Sequence, residues 1–167
     1  MALSAVHLDS QAINLVGQEK YQEAADCWTE AILLSPTSGS NYSNRGRCYL
    51  FLKRYEEALA DCQKAIELGY TSAYGYINRG RAYAALEDYE KAIEDCNKAI
   101  EEIPNALCYC ERGKVYLAMG EKTKDIEDFN KAMEAGKVEG VANNNYVEKI
   151  GKEAMALASE ALQREDI

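Results

Sequence analysis

The chain has 167 residues, which is enough for one domain with a sizeable core and short for two. Its hydrophobic content of 47% and charged content of 28% are typical of a folded soluble protein. The formal net charge of −9 disfavours nucleic acid and anionic membrane surfaces as partners, because the average field of the protein repels them. The sequence shows neither a secretory signal pattern nor an apolar run of transmembrane length, so we expect a cytoplasmic protein.

The first segment, residues 5–38, predicts two helices, of which the first is irregular. Val6, Ile13 and Val16 supply a helical apolar stripe, and a second apolar pattern containing Trp28 runs up to Pro36. Counting back 34 residues from the more regular sequence that follows aligns this segment with it. We therefore interpret it as the first of several repeats.

Residues 39–72 and 73–105 repeat each other with a period of 34. YSNRGRCYLFLKRYEEALADCQKAIELGY, residues 42–70, matches YINRGRAYAALEDYEKAIEDCNKAIEEIP, residues 76–104, at many ordered positions. Apolar or small residues recur at three- and four-residue spacing, and breakers such as Gly69 and Pro104 fall between the segments. Each repeat is therefore predicted to be two helices joined by a short turn.

One glycine occupies the same mid-helix place in three repeats, at Gly46, Gly80 and Gly113. A glycine inside a helix costs about 1 kcal/mol relative to alanine, so its presence there predicts a close approach of the second helix. The expected neighbours are Ala58, Ala92 and the equivalent residues of the other repeats.

The fourth segment, residues 106–139, follows at an offset of 33 and departs from the pattern in its second helix. Lys122 stands where the third repeat has Tyr89, and Asp125 stands where it has Ala92. We expect looser packing there, or a helix start that shifts to keep Asp125 in solvent.

Beyond residue 140 the repeat pattern stops, and residues 142–164 predict one more amphipathic helix. A stack of repeats exposes an apolar flank at its last member, so this helix is interpreted as a cap. The alternative is a helix that binds a partner or a second copy of the chain. The whole chain, residues 1–167, is predicted to form one domain.

The period, the two helices per repeat and the placement of Gly, Tyr, Ala and Pro within it resemble the tetratricopeptide repeat. Four such repeats cover about 135 residues of the chain. The resemblance implies an all-α solenoid, a right-handed superhelix of antiparallel helix pairs. It also implies a concave groove, lined by the first helix of each repeat, that holds an extended peptide or a helix of a partner.

The resemblance further implies which side chains face that groove. Arg47, Arg81 and Lys114 share one groove-facing place and form a basic strip in an acidic protein. Asn44 and Asn78 lie one turn earlier and have the chemistry to hydrogen-bond a peptide backbone. The expected ligand is a peptide with carboxylates and apolar anchors. The alternative is that the basic residues pair with acids on neighbouring helices.

Three apolar residues complete the predicted peptide-binding site, because they offer contacts to the anchors of such a ligand. The predicted site consists of Asn44, Arg47, Phe51, Tyr74, Ile77, Asn78, Arg81 and Lys114.

A second set of arginines is assigned to structure. In repeats two, three and four an arginine of the first helix is followed by an aspartate of the second helix 16 residues later. The first repeat has neither, since Gln11 and Cys27 stand in these places. Because the two residues come and go together, we predict an ion pair that joins the two helices of a repeat. The predicted pairs are Arg45–Asp61, Arg79–Asp95 and Arg112–Asp128.

Family members that bind the acidic C-terminal tail of cytosolic chaperones use a set of five residues, two Lys, two Asn and one Arg, on the first, third and fifth helices. The five matching places here hold Asp9, Ile13, Asn44, Tyr74 and Asn78, and only Asn44 agrees. A frame shifted by one repeat also matches only one Asn. We therefore do not expect this chain to bind a chaperone tail through such a clamp.

No pattern points to catalysis. His7 is the single histidine, and neither a phosphate-binding loop nor a nucleophile or metal motif is present. The six cysteines are expected to be reduced and to act as small buried residues, with a metal or redox site as the alternative. We therefore predict a non-catalytic protein-interaction scaffold without cofactor or metal. The rivals are a self-associating module that uses the C-terminal helix, giving a homo-oligomer, and an RNA-binding solenoid, which the charge disfavours.

Overall fold

The computed structural model of the protein describes residues 4–138 and five isolated positions, 152, 156, 159, 160 and 163. Residues 4–138 contain eight helices and no strand, so the all-α prediction is confirmed. The helices are α1 (Ala5–Gly17), α2 (Tyr21–Leu34), α3 (Gly39–Phe51), α4 (Tyr55–Glu67), α5 (Ala73–Ala85), α6 (Tyr89–Glu102), α7 (Ala106–Met119) and α8 (Lys122–Val138). They fall two to a repeat, as the period predicts. None of these helices is long and apolar enough to cross a membrane.

Short polar side chains begin several of the helices. Ser4, Ser72, Asp88 and Asn105 each accept a hydrogen bond from a backbone N–H in the first turn of α1, α5, α6 and α7. Such a side chain satisfies one of the backbone donors that the first turn of a helix leaves unbonded. The helix starts are therefore encoded locally.

The turn inside each repeat uses a left-handed residue. Glu19, Lys53 and Glu87 have φ of 60°, 59° and 62°, and Gly120 takes the same place in the fourth repeat with φ of 76°. After Glu19, Lys53 and Gly120 the next backbone N–H bonds a carbonyl five residues back, as from Lys20 to Leu15 at 2.9 Å. This bond closes the end of the first helix and turns the chain into the second.

The chain forms two compact units, residues 1–87 and 88–167, and each is described by itself. In the first unit α1 packs on α2, α2 on α3, α3 on α4 and α4 on α5, and α3 also contacts α5. In the second unit α7 packs on both α6 and α8. The assignment of residues 1–167 to one domain stays a prediction.

Each unit has a core around one large aromatic side chain. Trp28 is fully buried against Leu8, Ala12 and Cys48 in the first unit. Its indole Nε1 donates a hydrogen bond to Asp9 Oδ1 at 2.9 Å, so the buried N–H is satisfied. Phe129 fills the equivalent role in the second unit.

The close approach of paired helices at the repeated glycine is confirmed in two repeats. A Cβ on Gly46 would lie 2.8 Å from Cys62 Sγ and 3.1 Å from the Ala58 carbonyl oxygen. A Cβ on Gly113 would lie 2.7 Å from the Phe129 ring. The distances of 2.8 Å at Gly46 and 2.7 Å at Gly113 are shorter than a Cβ contact allows, so only glycine fits at these places without a shift of the atoms on the second helix.

Of the two alternatives expected for the fourth repeat, a shifted helix start that keeps Asp125 in solvent is wrong. Asp125 is 0% exposed, and α8 begins at Lys122, which stands in the same place of the repeat as Tyr89 at the start of α6. Because the helix start does not shift, Asp125 takes the buried place that Ala92 holds in the third repeat.

The predicted C-terminal helix over residues 142–164 lies largely outside the described residues. The five described positions within that segment are helical and exposed. Its roles as a cap or as an association helix stay predictions.

Candidate functional site

Arg45 on α3 joins three helices. Its Nε and Nη2 donate to the two carboxylate oxygens of Asp61 on α4 at 2.7 and 2.8 Å, and Nη1 donates to Thr29 Oγ1 on α2 at 3.1 Å. Its guanidinium carbon also lies 5.6 Å and 5.8 Å from the ring centres of Tyr42 and Tyr49. The hydrogen bond to Asp61 raises the pKa of Arg45 above its ordinary value. The predicted ion pair of the second repeat is confirmed, and it is a bidentate, largely buried pair.

The fourth repeat contains the same arrangement. Arg112 donates to both carboxylate oxygens of Asp128 at 2.6 and 2.8 Å and to Asn97 Oδ1 at 2.6 Å. The hydrogen bond to Asp128 raises the pKa of Arg112. In the third repeat the Arg79 guanidinium carbon lies about 6 Å from the rings of Tyr76 and Tyr83. The Arg79–Asp95 pair stays a prediction.

Arg47 lies two residues from Arg45 and differs from it. Arg47 is partly buried, and its Nε is shielded from solvent without a hydrogen-bond partner in the described structure. Asn44, one turn earlier, is also partly buried and forms no side-chain hydrogen bond with the described part of the chain. One face of α3 therefore carries polar groups whose bonding capacity the surrounding helices do not use.

Phe51 follows Arg47 by one turn and is exposed to 52%. Its ring stacks on Tyr21 at the start of α2, with 4.4 Å between the ring centres and an angle of 11° between the planes. The pair makes an apolar platform that is open on one side. The predicted site did not include Tyr21, because it lies on the second helix of its repeat, whereas the residues of the predicted site lie on first helices.

On α5 some of the predicted site residues are exposed or partly buried, and others are buried. Tyr74 is 52% exposed, and Arg81 is partly buried. Asn78 is only 6% exposed, and its Nδ2 donates to Ser43 Oγ on α3 at 3.2 Å, so it joins the first helices of two repeats. Ile77 is 1% exposed. Its inclusion among the contact residues is corrected, because a side chain inside the helix packing offers no surface to a ligand.

In the second unit Lys114 is engaged within its own helix. Its Nζ donates to Glu111 Oε1 at 3.1 Å, and Glu111 is itself buried. Lys114 therefore pairs with an acid of the chain. This acid lies one turn away on the same helix, whereas the alternative interpretation placed it on a neighbouring helix. Its role in ligand binding stays a prediction.

The cysteines behave as small buried residues. Five of the six are buried, and Cys27 is partly buried. Burial raises the pKa of the Cys48 thiol to about 11, an effect that the positive charge of Arg47 partly opposes. Burial also raises the pKa of Cys96 strongly, and nearby Glu111 and Asp95 add to it. No group of His, Cys, Asp or Glu in the described residues is arranged to hold a metal ion.

The succession of two-helix repeats defines the chain as a helical-repeat protein. The tetratricopeptide repeat model matches residues 42–68 and 73–105, and a second model of the same repeat matches residues 106–135. The chain belongs to the tetratricopeptide repeat family. Its first repeat lies outside the matched residues, in agreement with its irregular sequence.

Several solved structures are similar to this chain. The first repeat domain of human RPAP3 is 30% identical and aligns with 70% of this chain and 93% of its own, with a TM-score of 0.66. The first repeat domain of Spaghetti (RPAP3), bound to the HSP90 peptide SRMEEVD, is 31% identical with the same coverage and TM-score. MamA from Desulfovibrio magneticus RS-1 is 24% identical, covers 83% of this chain and 78% of its own and has a TM-score of 0.72, which shows the fold alone. A comparison with curated proteins gave no match.

Proposed function

We propose that the protein is a non-catalytic interaction scaffold that binds a peptide or helix of a partner protein on the first helices of its repeats, α3 and α5. The observation that carries the proposal is Arg47, a partly buried arginine one turn from the exposed Phe51, with no acid partner among the residues that the structure describes. A ligand with acidic character supplies the missing carboxylate, and the cytoplasm is the compartment that we expect.

The surface chemistry of the first unit supports this proposal. Large apolar side chains are exposed on its first helices, namely Val6 and Ile13 on α1, Phe51 on α3 and Tyr74 on α5. Exposed aromatic side chains beside an arginine are typical of residues that dominate binding energy in protein interfaces. The Asn78–Ser43 bond holds α3 and α5 side by side, so the face on which they lie is defined by the fold.

The relatives support a short peptide as the ligand. The similar Spaghetti domain was solved with the HSP90 peptide SRMEEVD, and the second repeat domain of human RPAP3 with the HSP70 peptide SGPTIEEVD. We still expect this chain not to bind such tails through the five-residue clamp. Asp9 stands at one clamp place as an acid, and it accepts the hydrogen bond of Trp28 instead. Ile13 and Tyr74, at two other places, lack the required charge or amide.

Selection of a peptide library on the full chain tests the proposal. We expect enriched sequences to contain acidic and apolar residues and to bind in solution, as measured by fluorescence anisotropy. The double variant Arg47→Glu with Arg81→Glu should lose that binding, because two cations become anions on the proposed face. The matched control is Lys64→Glu with Lys124→Glu, which makes the same change of charge at exposed lysines. Retention of binding by the first variant, or a selection that yields no ligand, would refute the proposal.

A further inference from the structure

Three residues of α3 share one stripe. Asn44, Arg47 and Phe51 are spaced by three and four residues, so their side chains lie above one another on one side of the helix. From one end to the other the stripe offers an amide, a guanidinium and an aromatic ring that stacks on Tyr21. The order of the three groups along the helix is fixed, and it imposes an order on a ligand.

Among the three groups of the stripe, the guanidinium of Arg47 most clearly calls for a binding partner of defined chemistry. Arg45 and Arg112 each bind a carboxylate of the chain through two nitrogens, and so does Arg54, with Glu57. Arg47 has no such acid among the described residues, and its Nε is shielded from water. Because Nε is shielded, a ligand reaches the guanidinium through its terminal nitrogens, and a carboxylate is the acceptor that these bind most strongly. The matching chemistry is a carboxylate brought by a partner.

The spacing of the stripe fits an extended peptide. At a rise of about 1.5 Å per residue, Arg47 and Phe51 lie about 6 Å apart along α3. Alternate side chains of an extended peptide point the same way and lie about 6.6 Å apart. A carboxylate and an apolar side chain two positions apart therefore reach the guanidinium and the Phe51–Tyr21 platform together.

Asn44 favours an extended ligand over a helical one. Its amide carries a donor and an acceptor, which match the unbonded N–H and C=O groups of an extended backbone. A helix bonds these groups internally and leaves none along its side for Asn44. We propose that the α3 stripe of Asn44, Arg47 and Phe51, with Tyr21, recognises an acidic residue followed two positions later by an apolar one in an extended segment of a partner protein. This inference rests on the proposed peptide-binding function.

Synthetic peptides of equal length, labelled with fluorescein and capped at both ends, test the spacing on the full chain. Capping removes the terminal carboxylate, so binding through a C-terminal tail does not contribute. The probes place Glu and Phe one, two or three positions apart, and a fourth replaces Glu by Gln at the spacing of two. We expect the Glu-x-Phe peptide to bind best by anisotropy, and the Gln peptide to bind about tenfold more weakly, the loss expected for one charge-assisted contact. Equal affinity across the spacings overturns the inference.

A charge exchange identifies the residue responsible. Arg47→Glu should lose the Glu-x-Phe peptide and gain the Lys-x-Phe peptide, whereas the control Lys64→Glu should keep the original preference. If library-selected ligands bind, lose affinity with Tyr74→Ala and are unaffected by Arg47→Gln, the α3 stripe is refuted and the interaction function stands. If no peptide of either experiment binds, both are refuted.

Discussion

The two sides of α3 carry the same residue type, arginine, in two different settings. On one side Arg45 binds Asp61 and Thr29 and lies between two tyrosine rings. On the other side Arg47 has a shielded Nε with no acceptor in the described chain. The two residues are two apart in sequence, and successive residues of a helix turn by about 100°, so their side chains leave α3 in nearly opposite directions. The comparison shows that the direction of a side chain, rather than its chemistry, separates a structural arginine from a candidate binding arginine.

The largest expected effect comes from breaking the packed side with Asp61→Ala. Arg45 then keeps its charge in a largely buried place without its carboxylate, and we expect the free energy of unfolding to fall by about 3 kcal/mol. Urea denaturation followed by circular dichroism measures the loss. Glu57→Ala, which removes the acid of the exposed Arg54–Glu57 pair, is the control and should leave the midpoint nearly unchanged. Equal midpoints for both variants would mean that the buried pair contributes no stability.

A steric change on the same packed side should have the next largest effect. Gly46→Ala places a Cβ 2.8 Å from Cys62 Sγ and against the Ala58 carbonyl, so α4 must move. We expect a loss of about 1–3 kcal/mol in the free energy of unfolding. Gly17→Ala is the matched control, because nothing lies within 4 Å of its added Cβ. Its higher helix propensity should make it neutral or slightly stabilising, and destabilisation by Gly17→Ala of the same size would contradict the steric explanation.

A substitution on the other side of α3, at Arg47, should change stability much less. Arg47→Gln removes a guanidinium that makes no ion pair within the described chain, so we expect the free energy of unfolding to change by less than about 1 kcal/mol. Arg45→Gln should instead destabilise strongly, because it leaves Asp61 without its partner. Thermal melting of the two variants under identical conditions makes the comparison. A variant at Arg47 that unfolds as readily as the one at Arg45 would assign both arginines to structure.

The smallest effect reports on the field of Arg47. The positive charge of Arg47 lowers the pKa of the neighbouring Cys48 thiol, while burial raises it to about 11. Arg47→Gln should therefore raise that pKa further, so that the carbon NMR signal of the Cys48 Cβ titrates at a higher pH in the variant. An unchanged titration curve would place the charge of Arg47 too far from the thiol to act on it.

The raised pKa of Cys48 also has a definite sign for stability. The folded state holds the thiol proton more tightly than the unfolded state, so the contribution of this group is fully present below pH 9 and declines as the pH rises towards 11. Cys48→Ala should reduce the part of the alkaline loss of stability that comes from this thiol. The measurement is the urea midpoint at pH 8 and pH 10.

Much of the fold was predictable because a repeat supplies several copies of the same local evidence. The period located the eight helices of residues 4–138, and the repeated glycine predicted the contact of Gly46 with Ala58. The ion pairs were predictable for a different reason. The first repeat lacks both residues of the pair, since Gln11 and Cys27 stand in their places. Two residues that occur together in some repeats, and are absent together from another, indicate a contact between their side chains.

The candidate site was less predictable, because the family resemblance assigned eight residues to one binding face, and the structure places these residues in different surroundings. Ile77 is buried, Asn78 bonds Ser43, and Lys114 bonds Glu111 on its own helix. Asp125 is buried, although one of the two alternatives for its repeat placed it in solvent. Each of these outcomes depends on a neighbouring residue. The position of a residue within its repeat does not specify that neighbour.

The sequence by itself determined the repeat, the two helices of each repeat and the pairing of Arg45 with Asp61 and Arg112 with Asp128. Only the tertiary structure decided that Arg47 has no acid partner within the described part of the chain and that the exposed ring of Phe51 stacks on Tyr21. The physical reason is that helical periodicity fixes the angle at which a side chain leaves its own helix. Exposure and bonding depend on what the neighbouring helices bring within a few ångströms of that side chain.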